Sequence, residues 1–210
     1  MMCFSMEASF AAAAILAVGG AVAVASAPRR LIPLAITPFL FAAQQAAEGV
    51  VWVGAQQGAL GGLLSQAAIA IFLFFAVFFW PLWIPFVFTF AETHPARKQV
   101  LGVLGLLGLM LGFLNLITVA PESVAAQVVQ CSIQYSGQIS SLTPFLYPVC
   151  TIIPFLVSSV QGARWLGVAV ALTAVVAGYF YWVTFASVWC FFAALVTLGV
   201  LGLVRRPENS

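Results

Sequence analysis

The sequence predicts an all-α integral membrane protein, a bundle of seven transmembrane helices with its N-terminus outside and its C-terminus in the cytoplasm. Three observations predict it. Of the 210 residues, 64% are hydrophobic and 6% charged, whereas soluble domains carry about 25% charged residues. The chain divides into apolar runs that approach or exceed the ~20 residues needed to cross a hydrocarbon core. The seven basic side chains occupy alternate gaps between those runs: Arg29 and Arg30, then Arg97 and Lys98, then Arg164, then Arg205 and Arg206. Positive loops are retained in the cytoplasm, so an odd number of crossings follows.

Helix 1 is expected at about 8–26, rich in Ala and carrying Gly19-Gly20, small residues that let a neighbour approach closely. Ala25-Ser26-Ala27 resembles a signal-peptidase site, but no Lys or Arg precedes the run. A retained helix is therefore expected. Helix 2 is expected at about 32–55, and helix 3 at about 63–90, where Pro81 and Pro85 each remove a backbone donor and should kink it. Helix 4, about 100–119, lines up Gly102, Gly105, Gly108 and Gly112, the last two at the spacing of close helix crossings. A long outer loop follows. In it, Ser132-Ile133-Gln134-Tyr135 and Gln138-Ile139-Ser140 alternate around Ser136-Gly137, which reads as a small β-hairpin lid or as irregular loop. Helices 5, 6 and 7 are expected at about 143–160, 166–184 and 188–204. Tyr179, Tyr181, Trp182 and Trp189 would form an aromatic belt at the headgroups. Seven helices with short connections use the whole length, so residues 1–210 make a single transmembrane domain.

One short segment recurs. Ile36-Thr37-Pro38-Phe39-Leu40 reappears as Leu142-Thr143-Pro144-Phe145-Leu146 in helices of opposite direction. Helices 1–3 and 4–6 are candidates for inverted repeats, a transporter plan, with chance matching as the alternative.

Helix 2 carries the sharpest chemical signal. Phe41, Gln44, Gln45, Glu48 and Trp52 share one face at 3.6 residues per turn. A carboxylate at mid-bilayer costs about 2.5–3.5 kcal/mol on insertion scales. Glu48 should therefore face the bundle interior or a hydrated cavity and rest as the neutral acid. Either glutamine can donate to it. Glu48, Gln44, Gln45 and Trp52 are the candidate site for a proton, a cation or a small polar solute. Against this stands a purely structural reading, in which a neutral Glu48 hydrogen-bonds a neighbouring helix.

The four cysteines form a second constellation. Cys3, Cys131, Cys150 and Cys190 all map to the outer side, where an even number of cysteines allows disulfides with three pairings. Cys131 with Cys150 and Cys3 with Cys190 is one such arrangement, and buried small hydrophobes the plain alternative. No Cys-x-x-Cys occurs and the lone His94 lies on the opposite side, so a metal site is not expected. Glu92, His94, Arg97 and Lys98 read either as a gating cluster or as an ordinary loop meeting lipid phosphates, the latter preferred. Asn115 and Gln66 are candidates for interhelical hydrogen bonds. The only lysine, Lys98, lies in a loop, which excludes a retinal Schiff base within the bundle.

The opening Cys3-Phe4-Ser5 with Ala8-Ser9-Phe10, together with Gln44-Gln45, Glu48-Gly49 and Trp52, resembles a family of small uncharacterised bacterial multi-helix membrane proteins. The resemblance covers mainly the first half of the chain and implies no assigned activity. Such relatives often have His where this chain has Gln44, which puts histidine chemistry there in doubt. They commonly start at the Met before the Cys, so Met2 is a candidate initiator and Cys3 a candidate exposed amine-thiol end.

Composition and site together predict a membrane protein, in the bacterial inner membrane as the resemblance implies, that binds or translocates a small solute, proton or cation beside Glu48, with the lipid bilayer as its surroundings. The alternative is a non-transporting scaffold or accessory subunit with a membrane-protein partner or a second copy of itself, motivated by the Gly/Ala packing faces. An intramembrane enzyme is a third reading, which lacks a Ser/His or Cys/His pair on one face. No cofactor is expected. The +2 net charge comes from retained loops, without a basic patch interleaved with aromatics, so nucleic acid is not an expected partner.

Overall fold

The computed structural model describes residues 4–119, 124–137 and 139–205. Seven apolar helices carry most of them: α1 Met6–Ser26, α2 Arg29–Gln56 (opening with a 3-10 turn), α3 Leu63–Ala91, α4 Pro95–Thr118, α5 Thr143–Val157, α6 Ala163–Phe180 and α7 Trp182–Val204. Six of these are long and apolar enough to cross a membrane. The seventh, α5, has 15 residues and rises about 22 Å, less than the ~30 Å hydrocarbon core. The expected span to residue 160 is therefore too long. Ser158 takes an extended conformation (ψ 144°), and the next residue, Ser159, is bound by Glu92 instead of continuing the helix.

Local chemistry sets the other boundaries. Ser5 caps α1, its hydroxyl accepting from the Ala8 amide at 3.2 Å. Pro95 occupies the first turn of α4, where its missing N–H is not needed. In α3 the two prolines act as the sequence implies, with a particular outcome. The backbone forms a π-helical turn over Phe74–Phe79, just before Pro81. Pro81 has no amide to give the Val77 carbonyl four residues back. Asn115 of α4 supplies the donor instead, its Nδ2 lying 3.0 Å from Val77 O. Pro85 likewise leaves the Pro81 carbonyl without its helical donor, and that carbonyl lies over Gly108 of α4. A Cβ built on Gly108 would sit 1.8 Å from it. Only glycine allows the approach, and Gly112 does the same against Phe78. Gly102 faces open space, so the packing seam uses the second half of the glycine row.

The connection between α4 and α5 contains an antiparallel hairpin, β1 Ala125–Val129 with β2 Ser132–Ser136, registered Ala125 to Ser136 and Val129 to Ser132. The expected hairpin is thus displaced by one strand. Ser132–Tyr135 is a strand, but its partner precedes it, and Ser136-Gly137 is not the turn. Gln130 and Cys131 form the turn, with φ of 47° and 64°, the left-handed pair that a two-residue hairpin of matching twist requires. Gln138 lies outside the described residues. The aromatic belt also needs one correction. Tyr179 and Trp182 are exposed, but Trp189 is buried and its indole donates to Val170 O at 3.3 Å. Gln66 bonds to Leu60 O in the turn before its own helix rather than to another helix.

Two large apolar clusters fill the bundle, with a small third one of Phe72, Ala76 and Cys190. One gathers Leu16, Leu34, Phe41, Val87, Phe88 and Leu101; the other gathers Phe4, Val51, Trp52, Ile69, Ile133 and Trp189. Along α2 the polar residues Gln44, Gln45 and Glu48 lie between Phe41 of the first cluster and Val51 of the second. The recurring Thr-Pro segment does not occupy equivalent places: Pro38 is inside α2, whereas Pro144 begins α5.

Candidate functional site

Gln44, Gln45 and Glu48 are all at or below 1% exposed, so the helix 2 face points into the bundle. Ser187 of α7 donates its hydroxyl to Glu48 Oε1 at 2.5 Å. Gln45 Nε2 approaches Oε2 at 3.4 Å, a long contact. Gln44 does not donate to Glu48. Its Oε1 accepts from the indole of Trp80 at 2.8 Å, and the Trp80 ring stacks on Phe41 at 3.7 Å. One helical turn below, Trp83 of α3 donates to the Thr37 hydroxyl at 3.1 Å. The two α3 tryptophans thus fix the rotation of α2, and with it the direction of the Glu48 side chain.

Tyr135 completes the site from above. It belongs to the hairpin, yet its ring lies stacked on Phe72 of α3 at 4.3 Å and 9°. The hydroxyl is near enough to interact with the Glu48 carboxyl but lacks good hydrogen-bond geometry to any group. Burial first, and the neighbouring carboxyl second, push this phenol well above its ordinary range, so it remains a donor. Ser132 anchors the same strand to α7 through Thr184 at 2.7 Å. The hairpin therefore plugs the bundle above Glu48.

On this face of α2 and the hairpin beside it, several buried polar atoms have no hydrogen bond of good geometry among the described residues: Gln44 Nε2, Gln45 Oε1, Trp52 Nε1 and Tyr135 Oη. An unpaired buried polar atom costs about 1–3 kcal/mol, and native interiors hold few. Their concentration on one carboxyl marks a place where a polar guest or water would be stabilised.

Sequence reasoning found Glu48 and the α2 face but missed its partners. Ser187 falls in the gap expected between helices 6 and 7, and the structure places it inside α7, which begins at Trp182 and not at 188. The sequence puts Tyr135 in the hairpin but not at the site, and gives Trp80 no role. Cys190, against Gln44, joins the cluster as a buried thiol. It is free, as is Cys150. The pairings Cys131 with Cys150 and Cys3 with Cys190 are thereby corrected: both thiols are enclosed between helices. Cys131 is a hairpin turn residue whose carbonyl accepts from the Phe4 amide at 2.9 Å, and Cys3 lies outside the described residues.

A second acidic residue is buried elsewhere. Glu92 ends α3 and is 3% exposed, while His94, Arg97 and Lys98 beside it are exposed. Oε1 accepts from the Thr93 amide (3.1 Å), the His94 amide (2.9 Å) and the Ser159 hydroxyl (2.6 Å), and Oε2 from the Ser159 amide (2.7 Å). Burial opposes its charge, but the Ser159 contacts and the two amides outweigh it and hold the carboxyl below its ordinary value. Glu92 is a clasp between two connections rather than a loop group meeting lipid phosphates.

The family model described as a family of unknown function (DUF6629) matches residues 2–210. The chain belongs to that family. No curated protein and no solved structure matches it. For this DUF6629 member the chemistry of the site must therefore be argued from its own residues.

Proposed function

We propose that this chain is a membrane protein that binds and passes a proton or small polar solute at Glu48, with the hairpin end outside and the basic connections in the cytoplasm. The observation that carries the reading is the group of unpaired polar atoms around a fully enclosed carboxyl. A carboxyl serving only to join helices would be expected to have its neighbours satisfied, as those of Glu92 are. Here Ser187 supplies one good hydrogen bond, Gln45 a long one, and four further polar atoms lack a bond of good geometry among the described residues. A protonated Glu48 can donate to a guest, and an ionised one can accept from it, so the group can trade one proton as the guest arrives. Tyr135 and the hairpin above it would control access from one side.

The test uses proteoliposomes with an internal pH dye under an imposed proton gradient. Wild-type protein is expected to leak protons well above protein-free vesicles, and Glu48→Gln to lower that flux at least tenfold. Flux equal in the two proteins, or wild type equal to empty vesicles, overturns the reading.

The cysteines carry a smaller proposal. With Cys150 and Cys190 free, a bridge within the chain is left to Cys3 and Cys131, and the Phe4 amide already meets Cys131. Maleimide labelling in denaturant is expected to modify two thiols before reduction and four after it. Four labelled thiols before reduction would show that no bridge forms.

A further inference from the structure

A second cavity, separate from the enclosed carboxyl, opens between α5 and α7. Its volume is about 490 Å³, within the range of small-molecule sites. Its walls come from the π-helical turn of α3 (Ala76, Val77), from α5 (Tyr147), from α6 (Ala174) and from α7 (Phe185, Trp189). Trp182, 78% exposed, stands at the rim, which places the mouth at the surface of the bundle.

The cavity is held open by the backbone around it. Asn115 donates to Val77 O on one wall, and its Oδ1 accepts from the Thr143 hydroxyl (2.7 Å) and the Ser140 amide (3.1 Å) on the other. One side chain therefore braces both walls. Pro144 and Pro148, which line the α5 side, cannot donate backbone hydrogen bonds.

The lining decides what fits. None of the described residues lining the cavity is charged, and a cation held by protein needs several oxygen ligands, so this lining does not suit an ion. Tyr147, Trp182, Phe185 and Trp189 bring aromatic rings to the lining, and Trp189 lies 5.5 Å from Tyr147 and 5.1 Å from Phe185, a group of rings against which a flat ring can pack. The Thr143 hydroxyl is committed to Asn115. Of the other lining groups, the Tyr147 hydroxyl, the Cys190 thiol and, at the rim, the Trp182 indole N–H can each donate to a guest. A neutral, lipid-soluble, flat molecule with a hydrogen-bond acceptor on its ring fits this lining.

We propose that this cavity binds a lipid-soluble quinone-class molecule, its ring among Tyr147, Phe185 and Trp189 and a carbonyl oxygen facing the Tyr147 hydroxyl. The proposal goes beyond the Glu48 reading and does not require Glu48 to titrate. Cys190 borders both the cavity and Gln44, so an occupant would lie one side chain away from the carboxyl cluster.

The experiment measures binding of a decyl benzoquinone to the full-length protein in lipid nanodiscs by saturable quenching of tryptophan fluorescence. Ala186→Phe fills the cavity and is expected to weaken binding at least tenfold. Tyr147→Phe keeps the ring but removes the donor, and should weaken binding about fivefold, the size of one neutral hydrogen bond. Val175→Phe, on the exposed face of α6, is expected to bind as wild type does. If Ala186→Phe does not fold, Ala174→Phe fills the same space from α6. Quenching that does not saturate, or that is unchanged in the filled variants, overturns the proposal. So does full displacement by decanol at equal concentration, which would assign the cavity to an acyl chain and not to a ring.

Discussion

Two glutamates are buried in this bundle almost equally, Glu48 at 1% and Glu92 at 3% exposed, yet their surroundings are opposite. Glu92 receives four hydrogen bonds, three of them from backbone amides that its own loops position. Glu48 receives one strong and one long bond, both from side chains, among idle polar atoms. Three donors on Oε1 and one on Oε2, three of the four being fixed amides, hold the Glu92 carboxylate in one place. Mobile hydroxyls and amides with spare capacity leave room for exchange. Burial alone therefore does not separate a structural carboxyl from a functional one; the satisfaction of its neighbours does.

The largest effect that can break this comparison is the removal of Glu92. Glu92→Ala strands two loop amides and both polar groups of Ser159, and about 3 kcal/mol of stability is expected to go. Chemical denaturation in detergent would measure it, and a loss no larger than that of an exposed residue would contradict the clasp. The same variant changes the acid limb. The Glu92 carboxyl is held below its ordinary value in the folded chain, so its contribution is complete above the ordinary range, near ~4.3. It disappears as pH falls through the lowered folded value. Wild-type thermal stability should fall over that acid window, and Glu92→Ala should fall less.

How much of this was legible beforehand follows from range. The bilayer demands long apolar runs, a local property, so the seven apolar helices could be placed, although α7 begins at Trp182 and not at 188. The other exceptions come from a distant contact and an unusual turn. Helix α5 stops where Ser159 turns to a carboxyl 67 positions away. The hairpin follows a turn in which Gln130 and Cys131, neither of them glycine, take left-handed conformations, which composition does not advertise. At the site, Glu48 was visible because a charge in an apolar span is costly. Its partner Ser187 lies 139 positions on, and no periodicity on α2 could name it. Asn115 shows the same limit in milder form: the sequence suggests an interhelical bond, but neither α3 as its partner nor that it replaces the amide missing at Pro81.

Glu48→Gln sharpens the comparison from the other side. The amide keeps the size of the carboxyl and still offers an oxygen to the Ser187 hydroxyl. Stability is therefore expected to change by less than about 1 kcal/mol, while proton flux collapses. A destabilisation as large as that of Glu92→Ala would make Glu48 a second clasp.

The smallest and most discriminating contrast removes one hydroxyl at each glutamate. Ser159→Ala deletes a 2.6 Å bond to Glu92 and should cost about 1.5–3 kcal/mol, as bonds to charged groups do. Tyr135→Phe deletes a hydroxyl that has no bond of good geometry and leaves its ring stacked on Phe72. It should leave stability within about 0.5 kcal/mol, or raise it, since an idle polar atom leaves the interior. Its effect should appear instead in the flux measurement, because the hydroxyl faces the carboxyl from the hairpin side. If Tyr135→Phe costs as much as Ser159→Ala, that hydroxyl is bonded to Glu48, and the hairpin holds the site shut by a bond instead of covering it by packing.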